Sequence, residues 1–196
     1  MGTRNLTMVI SQGETKVAQY GQWDGYPEGQ GKTILNFLRK CDLDKFKTKV
    51  NKLRWITDAE SKKIYKDKNW VKKYPYLNRD TGGEILNAIY YGEMEITVDV
   101  GKREKIKVEF LSNEEEFAGD SLMNEWTYVI DLDKNTFEVY KGFNTDPLTQ
   151  NDRFFKYFNN PSYRTDVYYP VKLAKTYSLS KLPKNDKFIA DFVEEE

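Results

Sequence analysis

The stretch NLTMVISQGETKVAQYGQWDGYPEGQG, residues 5–31, decides the fold, because two strand-like runs lead straight into a glycine-rich loop and then a helix. Leu6, Met8 and Ile10 alternate with Asn5, Thr7 and Val9. Ser11-Gln12-Gly13-Glu14 turns the chain, and Thr15 to Gln22 forms a second run, so residues 5–22 read as a β-hairpin. Gly21, Gly25, Gly29 and Gly31 then free the backbone for tight turns or close approach. Trp23 and Tyr26 supply flat faces, and Gln22, Asp24, Glu28 and Gln30 supply polar groups. Ile34, Leu35, Phe37 and Leu38 have helical spacing, so a helix begins at Gly31 or Lys32 with its first amides facing the loop.

Helical spacing continues through Leu43, Phe46, Val50 and Leu53. Thr57-Asp58-Ala59-Glu60 has the form of a capping box, and Thr81-Gly82-Gly83-Glu84 repeats it before Ile85, Leu86 and Ile89. The polar run from Lys66 to Asp80 is expected to protrude. From Met94 the period changes to two: residues 94–100 and 106–110 form a hairpin about Gly101, and residues 126–132 and 137–140 form another. A last strand over residues 171–177 follows Pro170, and a short helix over 186–193 precedes the acidic Glu194-Glu195-Glu196. Helices segregated from hairpin-connected strands predict an α+β fold with a mostly antiparallel sheet. The whole chain, 1–196, is one domain, with a basic helical segment over about 32–91.

The single cysteine, Cys41, rules out an intramolecular disulfide, and no run of about 18 apolar residues is present to span a membrane. The opening Met-Gly-Thr-Arg-Asn has no signal-peptide character, so a cytoplasmic, reducing setting is expected, the host cytoplasm for a phage-encoded chain. Histidine is absent, which removes the commonest general base and leaves carboxylates, Lys, Tyr, Thr or Cys41 for any catalysis. The net charge of zero hides a separation: residues 39–79 hold 14 Lys/Arg against 5 Asp/Glu, a balance of +9, and the remainder carries −9. Such asymmetry points to an anionic partner, to a solvated helical face, or to a homo-oligomer that pairs the two halves.

Gly29-Gln30-Gly31-Lys32-Thr33 invites comparison with a phosphate-cradling P-loop, but Gly25 lies one residue too far from the Gly-Lys pair and Pro27 removes an amide. A less specific use of that geometry is an anion site at the helix start, with Lys32 adding charge. Arg79, ahead of Asp80-Thr81-Gly82-Gly83, is either a clamp for a phosphate or carboxylate or, the reading favoured here, the solvated neighbour of an N-cap at Asp80 or Thr81. Asp120 and Glu125 sit at the mouth of a strand as a candidate acid–base pair. Basic residues interleave with aromatics in the 39–79 segment, yet Phe46 falls in the apolar stripe. A stacking platform needs exposed rings, so nucleic acid is not expected to bind there.

The blocks Gly2-Thr3-Arg4, Ala18 to Pro27 with Gly29-Gln30-Gly31, Arg79-Asp80-Thr81-Gly82, Asp120-Ser121-Leu122 and Tyr128 to Asp133 resemble a family of uncharacterised proteins found in bacteriophages, bacteria and fungi. The resemblance implies a soluble, phage-encoded protein and leaves its chemistry open. The leading reading is a binder of a small anionic, nucleotide-like ligand without turnover and without a cofactor or metal, a form suited to sequestering an immune signal. Its site residues are Arg4, Gln22, Trp23, Asp24, Tyr26, Gln30, Lys32 and Arg79. The first alternative is an N-terminal-nucleophile amidohydrolase built on Thr3, which removal of Met1 alone does not expose. The second is a nucleic-acid-binding protein.

Overall fold

The computed structural model describes residues 2–158 and 167–193, so Met1 and Glu194–Glu196 lie outside the described residues. In chain order the elements are β1 (Asn5–Ser11), β2 (Glu14–Gly21), α1 (Lys32–Leu38), α2 (Leu43–Val50), β3 (Arg54–Trp55), α3 (Asp58–Lys66), α4 (Trp70–Lys73) and α5 (Ile85–Tyr91). There follow β4 (Glu93–Asp99), β5 (Lys102–Lys107), β6 (Phe110–Leu111), β7 (Trp126–Asp131), β8 (Thr136–Lys141), β9 (Lys172–Ser178) and α6 (Asn185–Ala190). The fold is α+β, with helices gathered after the N-terminal hairpin.

The main sheet has the order β2-β1-β7-β8-β9. Three of its four pairings are antiparallel; β1 and β7 run parallel, with Asn5 beside Trp126 and Ile10 beside Asp131. β4 and β5 form a separate antiparallel hairpin, and β3 and β6 pair as a short parallel ribbon. Gln12 and Gly13 close the first hairpin at φ of 57° and 73°, a left-handed pair that matches the twist of the strands.

β1 lies inside the sheet with both faces covered. Val9 and Val17 face a core built with Leu35, Phe46, Leu86 and Phe188 of the helices. Leu6, Met8 and Ala18 face a second core with Val129, Tyr140, Leu148 and Phe154. The polar positions of β1 are therefore buried as well: Asn5, Thr7 and Ser11 are all without exposure. Asn5 donates from Nδ2 to the Gly21 and Trp23 carbonyls, while Asn5 Oδ1, Thr7 Oγ and Ser11 Oγ find no protein partner.

The capping box at Thr57 forms: its hydroxyl accepts from Glu60 N at 3.3 Å and Glu60 Oε2 accepts from Thr57 N at 3.0 Å. Arg54 holds the same carboxylate with two guanidinium nitrogens, at 2.8 and 2.7 Å, and these bonds with the cap hold Glu60 down at about 2. Thr57→Ala is expected to cost about 1 kcal/mol, read as a lower urea midpoint at unchanged slope.

The matching signal at Thr81 does not form a cap. Its hydroxyl donates instead to the Pro75 carbonyl at 2.9 Å, and the chain enters α5 through a 3₁₀ turn, Gly82–Glu84, because Gly82 sits at φ 47°. The Lys66–Asp80 run does not protrude throughout either, since Pro75, Tyr76 and Leu77 are buried and Tyr76 packs on Phe110.

Candidate functional site

The clearest cleft runs along β2, an outer strand of the main sheet, and encloses about 420 Å³. One wall is the Leu77–Arg79 segment, pinned to β2 by Gln22 N donating to the Arg79 carbonyl at 2.9 Å and Gln19 Nε2 donating to the Asn78 carbonyl at 3.3 Å. The other wall is Ser112–Phe117, where Asn113 bridges to Ala18 and Glu114 N donates to the Ala18 carbonyl at 3.1 Å. Edge amides and carbonyls of β2 that would otherwise meet water thus hold both walls in place.

Tyr20 forms the floor. Its ring meets Phe117 edge-on at 4.9 Å, and its hydroxyl donates to Gln22 Oε1 at 2.7 Å. Burial pushes its phenol up; the guanidinium groups of Arg4 and Arg79 pull it back, and Glu114 adds to the rise. The two arginines and the glutamate therefore all act on one phenol. Burial likewise raises the Glu114 carboxyl. Arg79 is 64% exposed with its nearest carboxylate, Asp80, at 4.0 Å, so its guanidinium is available. Arg4 rests its Nη1 against Met123 Sδ at 3.2 Å, and its buried Nε has no partner.

Of the eight residues singled out from the sequence, Arg79 lines the cleft, Gln22 meets it through the Tyr20 hydroxyl, and Arg4 acts on Tyr20 only through its charge while its guanidinium rests on Met123. The other five lie off it. Trp23 donates its indole N–H to Asp80 Oδ1 at 2.8 Å and keeps 47% of its surface exposed, as Tyr26 keeps 52%. Asp24 adopts φ 54° so that its carbonyl accepts from Gln30 N at 2.8 Å. Gln30 turns inward, its Oε1 accepting from Gly83 N at 2.7 Å, with Gly82 packed where a Cβ would lie 2.9 Å from the amide. Lys32 begins α1.

The loop amides, expected to face a ligand, are instead satisfied within the loop. Gly29 N and Gly31 N donate to the Tyr26 carbonyl, Gln30 N to Asp24, and Lys32 N to Gly29 and Pro27. Pro27–Gly31 winds as a π-turn, and this wide turn consumes the donors that a P-loop leaves open. Asp80 does not cap a helix; it accepts from Trp23 and Asn78. Asp120 and Glu125 are likewise spent locally, Asp120 accepting from Met123 N at 3.1 Å and Glu125 from Arg4 N at 3.4 Å. Thr3 is buried, its carbonyl accepting from Gly25 N, so it opens onto no cleft.

Sequence reasoning missed Glu114 and Phe117, whose segment carries no motif, and undervalued Gln19 and Tyr20 inside the motif itself. It also missed a buried ionic cluster. Arg153 donates from Nη2 to Asp131 at 2.7 Å and to Glu138 at 2.9 Å, and from Nε to Glu138 at 3.0 Å, while Tyr140 donates to Glu138 at 2.6 Å. Cys41, in a cavity of about 260 Å³ between α1 and α5, is pushed up to about 11 by burial and stays a thiol.

Among the described residues no three His, Cys, Asp or Glu side chains converge as metal ligands, and no helix is long and apolar enough to cross a membrane. Comparison with protein-family models, with curated proteins and with solved structures finds no match to the chain.

Proposed function

We propose that the β2 cleft binds a small anionic, nucleotide-like ligand without turning it over. One observation carries the reading: a cleft of about 420 Å³ is lined by the exposed Arg79 guanidinium together with the aromatic pair Tyr20 and Phe117. That volume lies within the range of about 300–1,000 Å³ usual for small-molecule sites. In this reading Arg79 takes the phosphate, the Tyr20–Phe117 pair takes the ring, and Gln19, Asn113 and Glu114 read its polar edge. The absence of histidine from the chain supports recognition rather than turnover. Under the phage resemblance, the bound molecule is a nucleotide immune signal and the protein its sponge.

A thermal-shift screen of mono-, di- and cyclic nucleotides tests this. A ligand at 100 times its dissociation constant adds about 2.7 kcal/mol of stability, which at this chain length is roughly 5–10 °C. Arg79→Ala is expected to weaken that ligand about 10- to 150-fold, the value of a charged hydrogen bond. Affinity is also expected to rise as the pH falls through the raised range of Glu114, because protonation removes a negative charge facing the anion. No shift with any anionic ligand, or steady consumption of the ligand, contradicts the proposal.

A further inference from the structure

A cationic surface lies away from the β2 cleft, in a groove of about 620 Å³ between the end of α2, β3 and the end of β5. Lys49 and Lys52 line it; Lys45 and Lys49 are one turn apart on one face of α2, and Lys52 lies just past the end of that helix. Among the described residues none of the three has a carboxylate partner. The other groove cations are committed: Arg54 to Glu60, and Lys107 to Glu109 at 3.1 Å. Glu109 is the groove's own carboxylate, so the excess charge there comes from the lysines.

An exposed ring completes the surface. Phe46 is buried, as the sequence reading requires, but Tyr91 from the end of α5 lines the groove with 66% of its surface exposed. Lys45 Nζ lies 4.2 Å from the Tyr90 ring centroid and 6.0 Å from that of Tyr91, so the charged face and the ring adjoin. A line of unpaired cations beside a free aromatic face is the combination that holds a single strand, phosphates on the lysines and a base on the ring. We propose that this strip binds single-stranded nucleic acid through its phosphodiester backbone, with Tyr91 as the stacking ring. The site shares no residue with the β2 cleft, so the two proposals stand or fall separately.

The test is fluorescence anisotropy of the full chain with a labelled single-stranded oligonucleotide across a salt series. The log of the affinity is expected to fall linearly with log salt, and Lys49→Gln with Lys52→Gln to flatten that slope by about 0.7 for each lost phosphate contact. Tyr91→Ala is expected to weaken binding about 5- to 150-fold while leaving the slope unchanged. Lys52 and Tyr91 are exposed and Lys49 is half-buried, so retention of the fold is checked by an unaltered melting temperature. No binding at low salt overturns the proposal, as does a double variant with the parent slope. Inorganic polyphosphate competing as well as the strand, with Tyr91→Ala silent, also overturns it by leaving charge alone as the cause.

Discussion

Arg153→Met is expected to lower the unfolding free energy by about 3–5 kcal/mol, because it strands two buried carboxylates that share one guanidinium. Asp131 and Glu138 lie on adjacent strands, β7 and β8, with side-chain exposures of 2% and 9%. Burial alone would raise both carboxyls. For Glu138, hydrogen bonds from Arg153, Tyr140 and Thr136 outweigh it; for Asp131, Arg153 and the amides of Lys134 and Asp133 do, and both end below their ordinary values. A carboxyl depressed in the folded state contributes stability that is present above its unfolded value, near 4, and lost as pH falls through the folded one. The parent protein should therefore lose this contribution on acidification below about pH 4. In Arg153→Met the carboxyls keep only uncharged hydrogen-bond donors, lose their counter-charge and rise, so the folded state binds protons more tightly and the variant recovers stability as pH falls toward 4. Urea unfolding at pH 7, pH 4.5 and pH 3 reads both slopes; a loss under 1 kcal/mol at pH 7, or parallel pH profiles, contradicts this.

Phe188→Ala is expected to cost about 3–5 kcal/mol, since this fully buried ring of α6 stacks on Phe137 at 5.9 Å and meets Tyr177 and Phe192 at 5.6 and 5.3 Å. The same ring explains Gly31. A Cβ there would lie 2.9 Å from Phe188 and 3.0 Å from Tyr128, so Gly31→Ala overpacks the junction at a cost of about 1–3 kcal/mol. Removing the Phe188 ring relieves the nearest of those clashes. The double variant is expected to be more stable than the sum of the single losses implies, with a coupling of about 0.5–3 kcal/mol. Strict additivity would mean that α6 does not set the shape of the first loop.

Period-two and helical spacing made the strands, the helices and the α+β class legible, because those patterns record one buried face per element. The parallel β1–β7 pairing was not legible, since pairing partners distant in sequence leave no local trace. For the same reason the burial of both faces of β1 was not legible: alternation of Leu6, Met8 and Ile10 with Asn5 and Thr7 looks identical whether the polar face meets water or a second layer. The Thr81 signal misled because Gly82 there serves close packing on Gln30 rather than a cap.

At the site, the glycine-rich motif marked a real structural junction whose amides bond within the loop. Its turns are closed by their own hydrogen bonds and by packing against the 82–83 glycines, Tyr128 and Phe188, and none of those contacts is local in sequence. Gln22 was legible as a polar group inside the motif, Arg4 as a charge near the N-terminus and Arg79 as a charge at a second loop-to-helix transition. Glu114 and Phe117 were not, because the 112–117 segment reaches β2 only through long-range backbone pairing.

The most direct measurement is backbone amide NMR of the whole chain titrated with the tightest nucleotide from the thermal-shift screen. The account predicts saturable shifts concentrated at Gln19–Gln22, Leu77–Arg79 and Ser112–Phe117, abolished at the same concentrations in Arg79→Ala. Shifts confined to Gly29–Thr33, or perturbations that leave Tyr20 and Glu114 untouched, would contradict a ligand site in the β2 cleft.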